Sequence, residues 1–258
     1  MSKIISIANQ KGGVGKTAAT LSLAMETARA GKRTLVIDLD PQNNSALMLD
    51  KERVEQGFYD DVTSKSSVVG LFNNVCKPEP VQISDNLFLI GSSKKAANPQ
   101  QEEIYNLADS LDLIKDEFDV IFLDCPPAVG LIQHGALGIS DKLLIISGLD
   151  ALSYKGVTEL VNTTRQIKRR VNPELEILGI LINKYKKGLS SNDTYEKKLD
   201  SQYGDLVLKS RITDTVTLRN ALESGRSLRE VSPKMAEKYG LTEAVKEVFG
   251  LLEIGELA

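Results

Sequence analysis

Residues 3–17 read Lys3-Ile4-Ile5-Ser6-Ile7-Ala8-Asn9-Gln10-Lys11-Gly12-Gly13-Val14-Gly15-Lys16-Thr17. The first six are apolar on both faces of a strand, which marks a strand covered on each side and hence a parallel sheet. A glycine-rich turn follows, and then a helical pattern opens. Strand, glycine turn and helix start together form an anion site. Glycines let backbone N–H groups point inward, and the helix dipole favours negative charge. In such a site Gly12, Gly13, Val14, Gly15, Lys16, Thr17 and Ala18 cradle the phosphates of a nucleotide. Lys16 reaches the β- and γ-phosphates and the Thr17 hydroxyl ligates Mg²⁺. The spacing departs from GxxxxGK[ST], because Gln10 stands where the first glycine falls. A second lysine, Lys11, stands in the loop instead. It is either a solvated charge or a phosphate contact, to a nucleotide of its own chain or of a facing subunit.

Outward from this loop the chain alternates. Short apolar runs at residues 34–39, 87–90, 120–124, 143–147 and 177–183 read as strands. Helical patterns occupy residues 16–30, 99–115, 154–170, 193–203, 216–224 and 233–249. Residues 51–77 are the least readable and fit short helices or a mobile segment. Unbroken alternation predicts an α/β fold, a doubly wound and mostly parallel sheet with helices on both faces. With 258 residues the expectation is one domain spanning 1–258. The two cysteines, Cys76 and Cys125, make neither a disulfide framework nor a zinc pair, and fit a reducing cytoplasm. No apolar run reaches membrane-span length. Charge is uneven: residues 165–230 carry 14 Lys/Arg against 9 Asp/Glu, while the whole chain has a net charge of −3.

Carboxylates end two of the predicted strands. Asp38 and Asp40 point the same way by the strand's period of two. They lie at the carboxyl edge, where open α/β sheets bind ligands. Carboxylates there can hold a Mg²⁺ shell and orient a water. Val120-Ile121-Phe122-Leu123-Asp124 is an apolar strand ending in another carboxylate, placed to bind Mg²⁺ through water. Cys125-Pro126-Pro127 follows. His134, the one histidine, has nothing to pair with and reads as a helix or turn residue.

KGGVGKT resembles the deviant Walker A box of the ParA/MinD superfamily. Asp38-Leu39-Asp40-Pro41-Gln42 resembles its switch I, and Asp124-Cys125-Pro126-Pro127 with Gly130 its switch II. After switch I the chain runs Asn43-Asn44-Ser45, close to the family's GNAS-like continuation, with Asn43 in place of the common glycine. The resemblance implies an ATP hydrolase that uses ATP and Mg²⁺. Lys11 becomes the signature lysine that crosses a nucleotide-sandwich homodimer to the partner's phosphates, and Lys16 the ordinary P-loop lysine. Asp38 joins the Mg²⁺ environment, Asp40 positions the attacking water and Asn183 reads the adenine edge. Cys125 is either structural or a cluster ligand, as in the related nitrogenase iron protein.

Among members, the resemblance runs to the ParA/Soj-type partition ATPases. Their basic regions match Lys184, Lys186 and Lys187, and the segment RITDTVTLRNALESGRSL with Arg211, Arg219, Arg226 and Arg229. Lys186, Lys187, Arg211 and Arg219 are the expected contacts to non-specific DNA. Phosphate contacts of that kind are salt-dependent and indifferent to sequence. The implied cycle serves plasmid or chromosome partition. An ATP-bound dimer holds DNA at the nucleoid, in the cytoplasm, until a centromere-binding ParB-type adaptor stimulates hydrolysis. The chain starts at its first strand, so no N-terminal helix-turn-helix domain is expected. The alternative is a MinD-like membrane-associated positioning ATPase. Those end in a basic amphipathic helix, whereas the tail after Lys246 carries Glu247, Glu253 and Glu256 and no base. A carboxylate-activating ligase or an electron-transfer reductase would share the fold. No cluster-type cysteines support the reductase.

Overall fold

The computed structural model describes residues 2–127, 129–186 and 190–255. Eight strands form one sheet: β1 (Lys3–Ala8), β2 (Thr34–Asp38), β3 (Val81–Ser84), β4 (Leu87–Ile90), β5 (Val120–Asp124), β6 (Lys142–Ser147), β7 (Glu176–Tyr185) and β8 (Val207–Thr213). Their spatial order is β3-β4-β2-β5-β1-β6-β7-β8. Every pairing is parallel except β3 with β4. The first strand therefore lies inside the sheet with β5 on one side and β6 on the other. The chain winds outward both ways from it, and the crevice at such a reversal is where ligands bind. The register sets Asp38 of β2 directly beside Asp124 of β5.

Alternate residues of the central strands feed two cores. Ile4 and Ala8 pack on one face with α4 (Val68–Asn73), α5 (Gln101–Asp112), α6 (Leu131–Ile139), α7 (Ala151–Arg170) and α8 (Ser190–Tyr203). Ile5 and Ile7 pack on the other with α1 (Lys16–Arg29), α2 (Asn44–Leu49), α9 (Val216–Glu223), α10 (Leu228–Val231), α11 (Pro233–Lys238) and α12 (Leu241–Leu252). The five-residue helix α3 (Lys51–Glu55) buries none of its side chains. The predicted doubly wound sheet is thus present, with helices on both faces. Among the described residues no helix is long and apolar enough to cross a membrane.

Several expectations change in detail. Residues 233–249 do not form one helix. Gly240, at φ +77, ends α11 and starts α12, and a Cβ there would lie 2.0 Å from the Arg211 carbonyl oxygen. Residues 51–77 hold α3, α4 and a short 3-10 turn pinned by the buried Tyr59. Its hydroxyl donates to Asp50 at 2.6 Å. The strands β3 and β8 were not among the predicted six. The outer edge of β8 is covered: Glu247 of α12 accepts from the Lys209 and Ser210 N–H groups at 2.7 and 2.8 Å. Capping an edge this way removes donors that another chain could pair with.

Candidate nucleotide site

The loop after β1 takes its shape from two glycines. Gly13 (φ +76) and Gly15 (φ +91) are left-handed, a conformation side chains with a Cβ adopt at a cost. Gly15 caps α1, so Lys16 and Thr17 open that helix and its first N–H groups point into the crevice. A cleft of about 390 Å³ stands there, lined by Gly13, Gly15, Lys16, Thr17, Ala18, Asp40, Gln42, Asn183 and others. That volume is in the range of small-molecule and cofactor sites. Lys16 is 7% exposed. Burial pulls its ammonium below the ordinary lysine range, against the opposing pull of Asp124.

Two carboxyls stand beneath the loop. Asp124 accepts from the Ser45 hydroxyl at 2.8 Å, from Thr20 at 3.4 Å and from Thr17. Asp38 accepts from the N–H groups of Asp40, Ser45 and Ala46, so it organises the turn that follows β2. Neither lines the cleft, whereas Asp40 does. Burial, and next the charge of Asp124, hold the Asp38 carboxyl well above the ordinary range. Burial also raises Asp124, partly offset by the Ser45 and Thr17 hydroxyls. Two adjacent buried carboxyls with few cations nearby resist ionising together, and a divalent cation relieves that conflict. Among the described residues no group of three or more His, Cys, Asp or Glu could hold a metal by itself. Mg²⁺ binds through one or two carboxylates plus substrate phosphates. The Thr17 hydroxyl and Asp124 form a donor set that fits it.

Lys11 is not among the residues that line this cleft. Its Nζ lies 2.7 Å from Asp150 Oδ2 and 3.2 Å from Ser153 Oγ, both at the start of α7. Its N–H donates to Asn9 Oδ1, and Asn9 in turn donates to the Ile146 carbonyl. Asp150 caps α7 through the N–H groups of Leu152 and Ser153. Its carboxyl sits below the ordinary range: burial pushes it up, but Lys11 and the Ser153 groups outweigh that. Asn183 closes the far side of the cleft. Its Nδ2 donates to the Val14 carbonyl at 2.9 Å.

The predicted DNA contacts divide. Lys186 and Arg219 are exposed. Arg219 and Lys184 border the cleft mouth. Lys187 lies outside the described residues. Arg211 is paired within the chain: its Nε and Nη2 reach Glu196 at 2.7 and 2.6 Å, and it also donates to the Leu208 and Ser210 carbonyls. This arginine ties β8 to α8. Arg229 likewise turns inward, onto the buried Glu26 of α1 at 2.7 Å. Cys125 is buried, and burial pushes its thiol up to about 12, which fits a structural residue. Ser45 was quoted from the sequence only as part of the switch I continuation, and Asp150 and Ser153 were not singled out. The Asp-x-x-Ser pattern at 150–153 was a legible helix cap, but its contact with Lys11 was not.

A family model described as an AAA domain matches residues 2–177. Over 96% of this chain and 98% of its own length, the sporulation initiation inhibitor protein Soj of Bacillus subtilis is 30% identical. An ATP complex of a McdA variant from Cyanothece superposes with a TM-score of 0.84 at 20% identity, covering 100% of this chain and 98% of that one. A pNOB8 ParA bound to nonspecific DNA gives 0.73 at 22%, covering 99% and 100%. The two structures establish likeness of fold. The family match and the Soj identity, each running through the loop and both carboxylate strands, establish that this chain belongs to the AAA-domain family and to the ParA/MinD superfamily.

Proposed function

We propose that this chain is an ATP hydrolase that works in plasmid or chromosome partition. ATP and Mg²⁺ enter the cleft, two subunits close face to face, and the dimer holds DNA without regard to sequence. The observation that carries the reading is the division of the loop. Lys16, Thr17, Asp40 and Asn183 line one cleft, while Lys11 is turned out of it onto Asp150. A lysine that cannot serve its own cleft is available to a facing one. The B. subtilis Soj relative and the likeness to a DNA-bound ParA support the partition setting.

Each residue then has a physical task. The loop amides and Lys16 take the phosphates. Thr17 and Asp124 hold Mg²⁺, whose charge offsets that developing on the phosphates. Asp38 fixes the turn, and Asp40, at the cleft wall, orients the attacking water. The Asn183 Oδ1 accepts from the adenine amino group, which a guanine lacks at that position. Exposed Lys186 and Arg219, together with Lys187, supply the phosphate contacts to DNA. A ParB-type adaptor stimulates hydrolysis and releases the dimer, at the nucleoid in the cytoplasm.

The test is retardation of two unrelated duplexes at several salt concentrations, with and without ATP. A dimer doubles the phosphate contacts, so ATP should raise affinity by avidity. Both duplexes should respond alike and weaken steeply with salt. Equal binding without ATP, or strong preference for one duplex, contradicts the reading.

A further inference from the structure

The Ser45 side chain is fully buried and joins the two strand-end carboxyls. Its hydroxyl donates to Asp124 Oδ2 at 2.8 Å, and its N–H donates to Asp38 Oδ2 at 2.8 Å. The other Asp124 oxygen, Oδ1, accepts from Thr20 of the helix behind the loop. The Asp124 carboxylate is thereby divided between α1, on the phosphate side, and α2, which follows the turn bearing Asp40. That turn is anchored on its opposite side as well. Asn43, at φ +55, accepts the Ser92 N–H on its Oδ1 at 2.8 Å. Between these anchors stands Asp40, a wall residue of the cleft.

We propose that Ser45 is a positioning residue of the metal site. Its hydroxyl fixes the plane of the Asp124 carboxylate by holding Oδ2, so Oδ1 stays turned toward α1. The same bond couples that carboxylate to the turn carrying Asp40. Removing the hydroxyl leaves Asp124 Oδ2 buried and without this donor. The carboxylate then keeps only the Thr20 and Thr17 hydroxyls to hold its plane, with the Asp38 carboxyl beside it on the neighbouring strand. The inference rests on the nucleotide reading above and adds to it a residue that does not line the cleft.

The experiment titrates Mg²⁺ against binding of a fluorescent ATP analogue, for the wild type, Ser45→Ala and Ser45→Cys. The analogue's affinity in EDTA is measured alongside. Loss of a hydrogen bond to a charged acceptor should raise the Mg²⁺ midpoint about ten-fold in Ser45→Ala, and less in Ser45→Cys, whose thiol is a weak donor of nearly the same shape. Affinity in EDTA should stay within about two-fold, since the phosphate cradle is intact. An unchanged midpoint in either folded variant overturns the proposal. Equal losses with and without Mg²⁺ also overturn it, because they describe a merely structural residue. A wild type whose nucleotide binding ignores Mg²⁺ sinks the nucleotide reading itself, and this inference with it.

Discussion

Lys11 Nζ and Asp150 Oδ2 stand 2.7 Å apart, so the loop lysine is held by the cap of its own chain's α7. In the proposed dimer Lys11 must leave that carboxylate. The pair is partly exposed, with side chains 29% and 48% accessible, and such pairs contribute about 0.2–1 kcal/mol. Asp150→Asn keeps a good helix cap and removes the charge. It should therefore tighten the ATP-dependent dimer about two- to five-fold. Sedimentation equilibrium with Mg–ATP measures this, and a dimer weakened by Asp150→Asn contradicts a parking role.

Binding and turnover should separate by residue. Thr17→Ala removes a hydroxyl that touches Asp124 and faces the metal position, so Mg–ATP binding should be lost. Asp40 lines the cleft and accepts the Gln42 N–H at 2.9 Å. Asp40→Ala should keep ATP binding and dimerisation but slow turnover roughly a hundred-fold or more, in proportion to a lost water-orienting group. Calorimetric nucleotide binding and phosphate release would check the pair. Asp40→Ala hydrolysing at the wild-type rate would remove it from its assigned task.

The arginines of the basic segment should also divide. Arg229 is 18% exposed and faces the wholly buried Glu26 carboxylate at 2.7 Å. Arg29 also reaches Glu26, at 3.4 Å, so losing Arg229 removes a charged hydrogen bond, about 1.5–3 kcal/mol. Arg229→Ala should lower the thermal midpoint, whereas exposed Arg219→Ala should leave it unchanged. Arg219→Ala should instead weaken all DNA sequences alike and reduce the salt slope by about one phosphate contact. Scanning calorimetry and retardation on both variants measure this; destabilisation by Arg219→Ala with unchanged DNA binding would reverse the assignment.

The sequence made the fold legible where burial is two-sided. The runs of β1, β2, β4, β5, β6 and β7 are apolar because helices cover both faces. Both edge strands escaped that signal. β3 reads VQIS with alternate residues exposed, and β8 carries Lys209, Ser210 and Arg211, whose polar groups are satisfied by Glu247 and Glu196. Helix α6 was hidden by Gly135 and Gly138. Gly135 lies so close to α5 that a Cβ would meet Ile104 at 2.2 Å. Gly240 concealed a break for the opposite reason, since a helix of period 3.6 fits both flanks of it.

At the site, groups contiguous in sequence were readable and those joined by the fold were not. Gly12 to Thr17 form one loop, so their task could be assigned from spacing. Asp150 meets Lys11 across 139 positions, and Ser45 meets Asp124 across 79. Those contacts follow from strand order, which local pattern does not encode. The ion partners of Arg211 and Arg229 were hidden for the same reason: Glu196 and Glu26 are distant in sequence and adjacent in space.

The central claim is that Lys11 serves a facing subunit. Sedimentation velocity of the wild type and Lys11→Ala, each with Mg–ATP, tests it most directly when bound nucleotide is measured in the same samples. Because Lys11 does not line its own cleft, Lys11→Ala should bind ATP much as the wild type does and yet remain a monomer where the wild type is a dimer. A Lys11→Ala protein that dimerises with ATP as the wild type does would contradict the account.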